Sequence, residues 1–310
     1  MVPLRIGIIG LGKIAADQHI PAIRGNSRFA LVAAASPNSV PPDGLQHYKD
    51  YREMIAGERL DAAAICTPPS VRYSIAQDCL DAGIHTLLEK PPGVTLGEVA
   101  ALASLTSAKR VTLFTTWHAQ YNPAVAVAAE ILAGKRIASM RVVWKEDVRK
   151  WHPGQQWIWQ PGGFGVFDPG INALSIATRI FPGQLVLRGA DLFVPSNRQA
   201  PIAAELKFVS PAAEGPLTAL FDWRHSGDEQ WTIEIATGDG AELKLAQGGS
   251  QLTVDGAMQQ GEGPGEYPAI YARFVDLIDT RQSLVDTQPL MLAADAFLSG
   301  TVHSIEAFAD

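Results

Sequence analysis

Two cysteines, Cys66 and Cys79, are all that the 310 residues contain. That is too few for a disulfide framework. One lies in an apolar strand-like run and the other on a helix-like segment, so two buried thiols in a reducing compartment are expected. No run of lysine and arginine stands out, and the net charge is −7. Neither nucleic acid nor an anionic membrane surface is therefore an expected partner. No stretch reaches the apolar length of a membrane span, and the opening apolar run is too short and too broken by glycine for a signal peptide. A soluble, cytoplasmic chain is expected. Internal repeats are absent. His118, Glu146, His152 and Asp168 never stand at the short spacing of a metal site, and no metal is expected.

What the chain does have is an apolar content of 47%, ordinary for a globular protein and enough for two domains with real cores. It opens on Ile6-Gly7-Ile8-Ile9-Gly10-Leu11-Gly12, followed by Lys13-Ile14-Ala15. An apolar strand enters a glycine turn and a helix leaves it, which is the pattern of a phosphate cradle. Gly10 permits the tight turn, Gly12 lets backbone approach a pyrophosphate, and Ala15 lets the helix lie close to the strand. A bound dinucleotide is implied, with Lys13 and Ile14 at the helix start as further contacts. A loop that only packs tightly is the plainer alternative.

Up to about residue 120, strands at Leu4–Gly10, Ala30–Ala35, Ala62–Cys66, His85–Glu89 and Val111–Thr115 alternate with amphipathic helices. That alternation predicts an α/β fold: a Rossmann domain over residues 1–121, with a doubly wound parallel sheet and ligands at the carboxyl ends of its strands. Residues 122–310 change texture. Strand-like runs from Ser139–Trp144 to Gln251–Val254, divided by turns such as Asp255-Gly256, predict an open, mostly antiparallel sheet about six strands wide in an α+β domain. Helices are expected at Ile171–Phe181, Ala269–Thr280 and Leu290–Phe308. One uncovered face of such a sheet invites pairing into a homo-oligomer.

The fourth strand ends in Glu89-Lys90-Pro91-Pro92-Gly93. Lys90 therefore emerges at the carboxyl edge, where a lysine in a partly dry pocket can move a proton or hold an alkoxide. A surface lysine paired with Glu89 is the alternative. The prolines hold the backbone, and Lys90–Pro91 is a candidate cis bond. Thr67 and Pro68, just past the third strand, join Glu89 and Lys90 as candidate coenzyme contacts. His118, past the fifth strand, is a candidate substrate contact or a satisfied structural histidine. Trp151, His152 and Trp231 combine aromatic faces with directional donors, a combination suited to a pyranose. Glu146 ends a strand and either accepts from hydroxyls or is solvated. The substrate is expected to be small and not strongly anionic.

Gly10-x-Gly12-x-x-Ala15, Glu89-Lys90-Pro91 and a second domain on an open sheet together resemble the Gfo/Idh/MocA oxidoreductases. Within them, Trp151-His152-Pro153-Gly154-Gln155-Gln156-Trp157 and Gly165-Val166-Phe167-Asp168-Pro169-Gly170-Ile171-Asn172 are most similar to bacterial aldose 1-dehydrogenases acting on L-arabinose and D-galactose. The resemblance implies NAD(P)+-dependent oxidation of such an aldose, D-fucose included, at C1 to the aldonolactone, with hydride to nicotinamide C4. The wider family carries His where this chain has Asn172. Acid–base duty is thereby moved to Lys90 and Asp168, and Asn172 is left to orient a hydroxyl. Ala35-Ser36-Pro37-Asn38 closes the second strand without the carboxylate that grips an NAD ribose. Ser36 and Asn38 bond either ribose form, so use of both NAD and NADP is expected. An inositol or dihydrodiol dehydrogenase, or a non-catalytic NAD(P)-binding sensor, are the rival readings.

Overall fold

Small side chains on the central strands decide how the first part of the chain packs. In the computed structural model, which describes residues 2–42 and 44–309, β1 (Leu4–Ile9) enters the glycine turn. One π turn, Ala15–His19, then runs into α1 (Ile20–Arg24). There follow β2 (Phe29–Ala35), β3 (Gln46–Tyr48), α2 (Tyr51–Gly57), β4 (Ala62–Ile65), α3 (Pro69–Asp81), β5 (His85–Leu88), α4 (Leu96–Lys109) and β6 (Leu113–Thr115). The sheet order is β3-β2-β1-β4-β5-β6, every pair parallel. Helices cover both faces, so all four positions of β4, Ala-Ala-Ala-Ile, are buried. The strand order reverses between β1 and β4, the point at which such sheets take ligands. Local signals agree with the elements: Asp50 caps α2 through the Arg52 amide, and Thr95 with Glu98 forms a capping box on α4. Strand β3 has no apolar run to announce it; it is a three-residue edge strand in register with Ala33–Ala35.

The other unit holds α5 (Pro123–Leu132), β7 (Ile137–Lys145), α6 (Val148–Trp151), α7 (Phe167–Ile180), β8 (Val186–Pro195), β9 (Ala203–Val209), β10 (Leu217–Asp222), β11 (Gln230–Thr237), β12 (Glu242–Ala246), β13 (Gln251–Val254) and β14 (Ala257–Gln259). Then α8 (Glu266–Asp279) intervenes before α9 (Gln288–Ser299) and β15 (Thr301–Ile305). The sheet runs β14-β13-β12-β11-β7-β10-β9-β8-β15. It is antiparallel except where β10 meets β7 and β15 meets β8. Strict alternation along β9, with Leu206 and Phe208 buried and Glu205 and Lys207 exposed, marks one covered and one open face.

Among the described residues the sheet has nine strands where about six were expected, and the two that answer to no strand-like run, β14 and β15, have physical reasons. Asp255-Gly256 folds the short β14 back on β13 as a hairpin. The helix expected to run from Leu290 to Phe308 stops at Ser299, and the β-branched Thr301 and Val302 after Gly300 continue as strand. The helix expected at Ala269–Thr280 exists, but not in the unit to which residues 122–310 were assigned. Contacts group the chain up to His118 with Pro264–Thr287, and Ala119–Gly263 with the residues from Gln288 onward. A change of texture marks where one unit ends, but cannot show that the chain later returns. In that first unit Tyr271 and Phe274 of α8 pack on Phe29 at ring separations of 5.8 and 6.0 Å.

Glycine at 170 is a packing requirement of the second unit. A Cβ there would stand 2.7 Å from the Phe221 ring, which is fully buried and edge-on to Phe167. Gly170→Ala is expected to cost about 1–3 kcal/mol by overpacking, read as a lower denaturation midpoint at unchanged m-value.

Candidate active site

The carboxyl edge of the parallel sheet gathers an unusual amount of buried polarity. At the turn after β1, Gly10 has φ +94, and a Cβ would meet the Thr67 amide nitrogen at 2.9 Å, so only glycine fits. Gly12 differs: a Cβ there would meet nothing within 4 Å. Neither crowding nor a left-handed backbone demands glycine at that position. Beside the turn, the Thr67 hydroxyl oxygen is buried without a hydrogen-bond partner. An open glycine and an orphaned hydroxyl at a strand-order reversal fit a backbone-bound pyrophosphate. Lys13 and Ile14 are exposed at the helix start, Pro68 and Asn38 are exposed, and Ser36 is buried. The unforeseen β3 brings His47, whose Nε2 lies 3.0 Å from the Ser36 carbonyl oxygen.

Strand β5 delivers Glu89 and Lys90, and the Lys90–Pro91 bond is cis. Glu89 is 4% exposed. Its Oε1 lies 3.0 Å from His19 Nε2 and accepts from the Tyr267 hydroxyl at 2.8 Å; its Oε2 accepts the Lys90 amide at 2.9 Å. His19 is fully buried, and its Nδ1 lies 2.7 Å from the Tyr271 hydroxyl. Burial by itself would raise the Glu89 carboxyl. The hydrogen bond and charge of His19, with help from His118 and Tyr267, outweigh it and hold the group well below the usual carboxylate range. Burial would likewise lower His19, but Cys66, Tyr271 and Glu89 around it raise the imidazole well above its ordinary value. Both phenols are pushed up by burial and stay protonated. The result is a buried histidine–carboxylate pair next to Lys90. Arg72 of α3, 2% exposed, donates to the carbonyls of Glu89, Pro91 and Thr67 and so clamps the proline loop to the β4–α3 turn. His118 lies past β6, its Nδ1 2.9 Å from Glu266 Oε2 and its ring stacked on Tyr267.

The second unit holds the tryptophan-rich segment. Asp147 caps the short α6 through the Arg149 amide at 2.9 Å, and that helix presents Trp151. Trp151 is 43% exposed and tilted against Trp231 at 5.5 Å; Trp231 in turn stacks on Trp144 at 5.7 Å. Glu146 is 3% exposed, and its two oxygens accept the indole N–H of Trp223 at 3.2 Å and of Trp231 at 2.8 Å. Glu146 therefore orients the aromatic wall. Helix α7 starts at Phe167, one turn earlier than the expected Ile171, and carries Asp168 and Asn172 four apart on one face. His152 Nε2 stands 3.4 Å from Asp168 Oδ2, and its Nδ1 3.4 Å from Gln155 Oε1. Trp157 Nε1 donates to that same Gln155 oxygen at 3.1 Å. The indole donor identifies that Gln155 atom as the amide oxygen, which can only accept, so Nδ1 of His152 is its donor and Nε2 is the nitrogen that faces the carboxylate.

Sequence reasoning missed His19, Arg72, Tyr267, Tyr271, Glu266 and Gln155. Tyr267 and Tyr271, four apart on one helix, were a legible sign of a polar stripe facing a core. His19 and Arg72 carried none, because each sits in a helix whose partner lies far away in sequence.

Residues 4–116 match the Gfo/Idh/MocA family, described as an oxidoreductase family with an NAD-binding Rossmann fold. Over 311 aligned residues the chain is 46% identical to the galactose 1-dehydrogenase of Pseudomonas fluorescens, covering 100% of both. The chain belongs to the Gfo/Idh/MocA oxidoreductases. As a member, it shares its structure with D-galactose-1-dehydrogenase from Rhizobium etli at a TM-score of 0.94 and 46% identity, over 100% of this chain and 99% of that one. The 3-ketoreductase KijD10 of Actinomadura kijaniata, in complex with NADP and TDP-benzene, shares the fold at a TM-score of 0.82 and 18% identity, over 98% of this chain and 100% of that one.

Two outcomes test this geometry. Gly12→Ala should leave the melting temperature within about 1–2 °C of the parent, since the methyl meets nothing, while weakening NAD(P)H binding about tenfold or more in a fluorescence titration. Glu89→Gln should destabilise by about 1–3 kcal/mol, because it weakens a buried acceptor that serves His19, Tyr267 and the Lys90 amide. The sign with pH follows from His19. Its raised pKa stabilises the native fold at pH values below the ordinary imidazole range, a gain lost as pH rises through the raised value. In the variant, burial lowers that pKa, so acid instead destabilises. The difference in stability between parent and variant should therefore be larger at mildly acidic than at mildly alkaline pH.

Proposed function

We propose that the protein oxidises a cyclic aldose with the configuration of D-galactose or L-arabinose, D-fucose included, at its anomeric carbon to the aldonolactone, using NAD+ or NADP+. Full-length identity to a galactose 1-dehydrogenase carries the reading. The Trp151–Trp231 wall supports it, offering indole faces to the C–H face of a pyranose. The oxidation removes two electrons and a proton as hydride from C1 and a second proton from the C1 hydroxyl. The bound dinucleotide supplies the hydride acceptor, and its pyrophosphate is assigned to Gly10, Gly12 and Thr67.

The hydroxyl proton falls to this chain's own residues. Lys90 is assigned to hold the developing alkoxide by charge, and Asp168 to take the proton. Asn172 cannot accept a proton and is left to orient a hydroxyl. His152, beside Asp168, gives that carboxylate a ring nitrogen to pass the proton to, and so compensates for the histidine that the wider family carries at the position of Asn172. His118 is assigned to a sugar hydroxyl, with Glu266 fixing its tautomer. Dual coenzyme use follows from Ser36 and Asn38, neutral groups where a carboxylate would exclude the 2′-phosphate. Discrimination of only about 1–2 kcal/mol is expected.

The test is a scan of sugars and polyols by absorbance of the reduced coenzyme, with the parent and Lys90→Ala. Activity on D-galactose and L-arabinose with inositol silent supports the reading. Coenzyme binding without turnover on any sugar overturns it in favour of a sensor. Lys90→Ala should lower kcat by about 10²–10⁴ at unchanged coenzyme affinity; near-parental turnover would remove Lys90 from the mechanism.

A further inference from the structure

We propose that His19 is a positioning residue for Lys90: its ring holds the Glu89 carboxylate, and that carboxylate holds the Lys90 amide. The lysine is thereby tied to the helix that leaves the glycine turn. The inference rests on the reading of Lys90 as the group that handles the substrate's oxygen.

His19 closes the single π turn, Ala15–His19, that follows the glycine turn, and such turns recur at functional sites. Its ring is fully buried between two partners, with Nε2 at 3.0 Å from Glu89 and Nδ1 at 2.7 Å from Tyr271. The two Glu89 oxygens divide their work. Oε1 faces His19 and Tyr267, and Oε2 faces the Lys90 amide at 2.9 Å. Rotation of the carboxylate would break both sets at once, so the orientation of Oε2 is fixed by what grips Oε1. A position that only filled space would be served by an apolar ring without the cost of burying charge. The chain instead places His19 and Tyr267 on one carboxylate oxygen, with Tyr271 behind the histidine, and the other oxygen points at the residue carrying the ammonium. The helix that begins over the coenzyme cradle and the lysine are thus linked through two hydrogen bonds of one carboxylate.

The ring's two nitrogens can be separated by substitution. The amide of asparagine reaches only as far as Nδ1, and that of glutamine as far as Nε2. His19→Asn keeps the Tyr271 arm and loses Glu89; His19→Gln keeps the Glu89 arm. Four quantities are compared with the parent: kcat with D-galactose, the NAD(P)+ dissociation constants, the melting temperature, and the acylation rate of Lys90 relative to Lys109 by peptide mass mapping. His19→Asn should lower kcat about 10–100-fold with coenzyme affinity within about twofold and should shift the Lys90 rate at least about threefold, while His19→Gln recovers most of both. Equal losses in the two variants, or an unchanged Lys90 rate in His19→Asn, overturn the proposal in favour of a purely structural histidine. Should neither variant fold, Tyr267→Phe decides. It removes one hydroxyl from the same oxygen, and unchanged kcat and Lys90 acylation would overturn the proposal, whereas a drop of about 3–10-fold supports it. A parent enzyme that oxidises no sugar would defeat the functional reading, while the acylation arm still tests the positioning.

Discussion

One buried carboxylate organises the coenzyme-bearing unit. Glu89 has almost no contact with water, and a charge so placed is tolerable only where donors surround it. Its donors come from three stretches of chain: His19 from the helix after the glycine turn, Tyr267 from α8, and the Lys90 amide from its own loop. Remove the carboxylate and each of those stretches loses a hydrogen bond that ties it to the other two. Arg72 works on the same loop by donating to its carbonyls. The proline loop is thus held by both an acceptor and a donor, which leaves the Lys90 backbone little freedom.

Much of this was legible in the residues. The alternation of apolar runs and helices gave the parallel sheet, and β1, β2, β4, β5 and β6 lie within a few residues of expectation, because continuous burial on both faces leaves a plain pattern. The Thr95-x-x-Glu98 capping box at the start of α4 was a further local signal that the sequence reading left unused. What escaped was non-local. Strand β3 is defined by its neighbour rather than by its composition, and β15 by the stop at Gly300 rather than by any apolar run. The return of α8 to the first unit lies beyond any sequence window. Among candidate site residues, Lys90 and the Asp168–Asn172 pair stand out in the sequence because motif and spacing carry them. His19 and Arg72 do not, because a single polar residue in a helix acquires meaning only from a partner some 17 to 70 residues away.

The second unit solves a different problem, that of holding wide aromatic surfaces still without burying them. Trp151 stays partly exposed on a helix of four residues. Such a helix has almost no stability of its own, so Asp147 caps it while Glu229 takes both the Lys150 ammonium and the Trp151 indole N–H. Behind it Glu146 fixes Trp223 and Trp231. Where sequence reasoning offered Glu146 a direct role toward hydroxyls, the geometry gives it a more basic one: the aromatic wall is as rigid as the carboxylate that anchors it.

The helix that joins the first unit from late in the chain has a consequence for inheritance. A fragment ending at His118 would keep every strand of the parallel sheet and the whole glycine turn, yet would carry Glu89 without the phenol of Tyr267 and His19 without that of Tyr271. Phe29 and Phe114 would also face water in place of Phe274. The nucleotide-binding half is therefore not a portable module. A transfer that stopped at the end of the parallel sheet would carry an incomplete core.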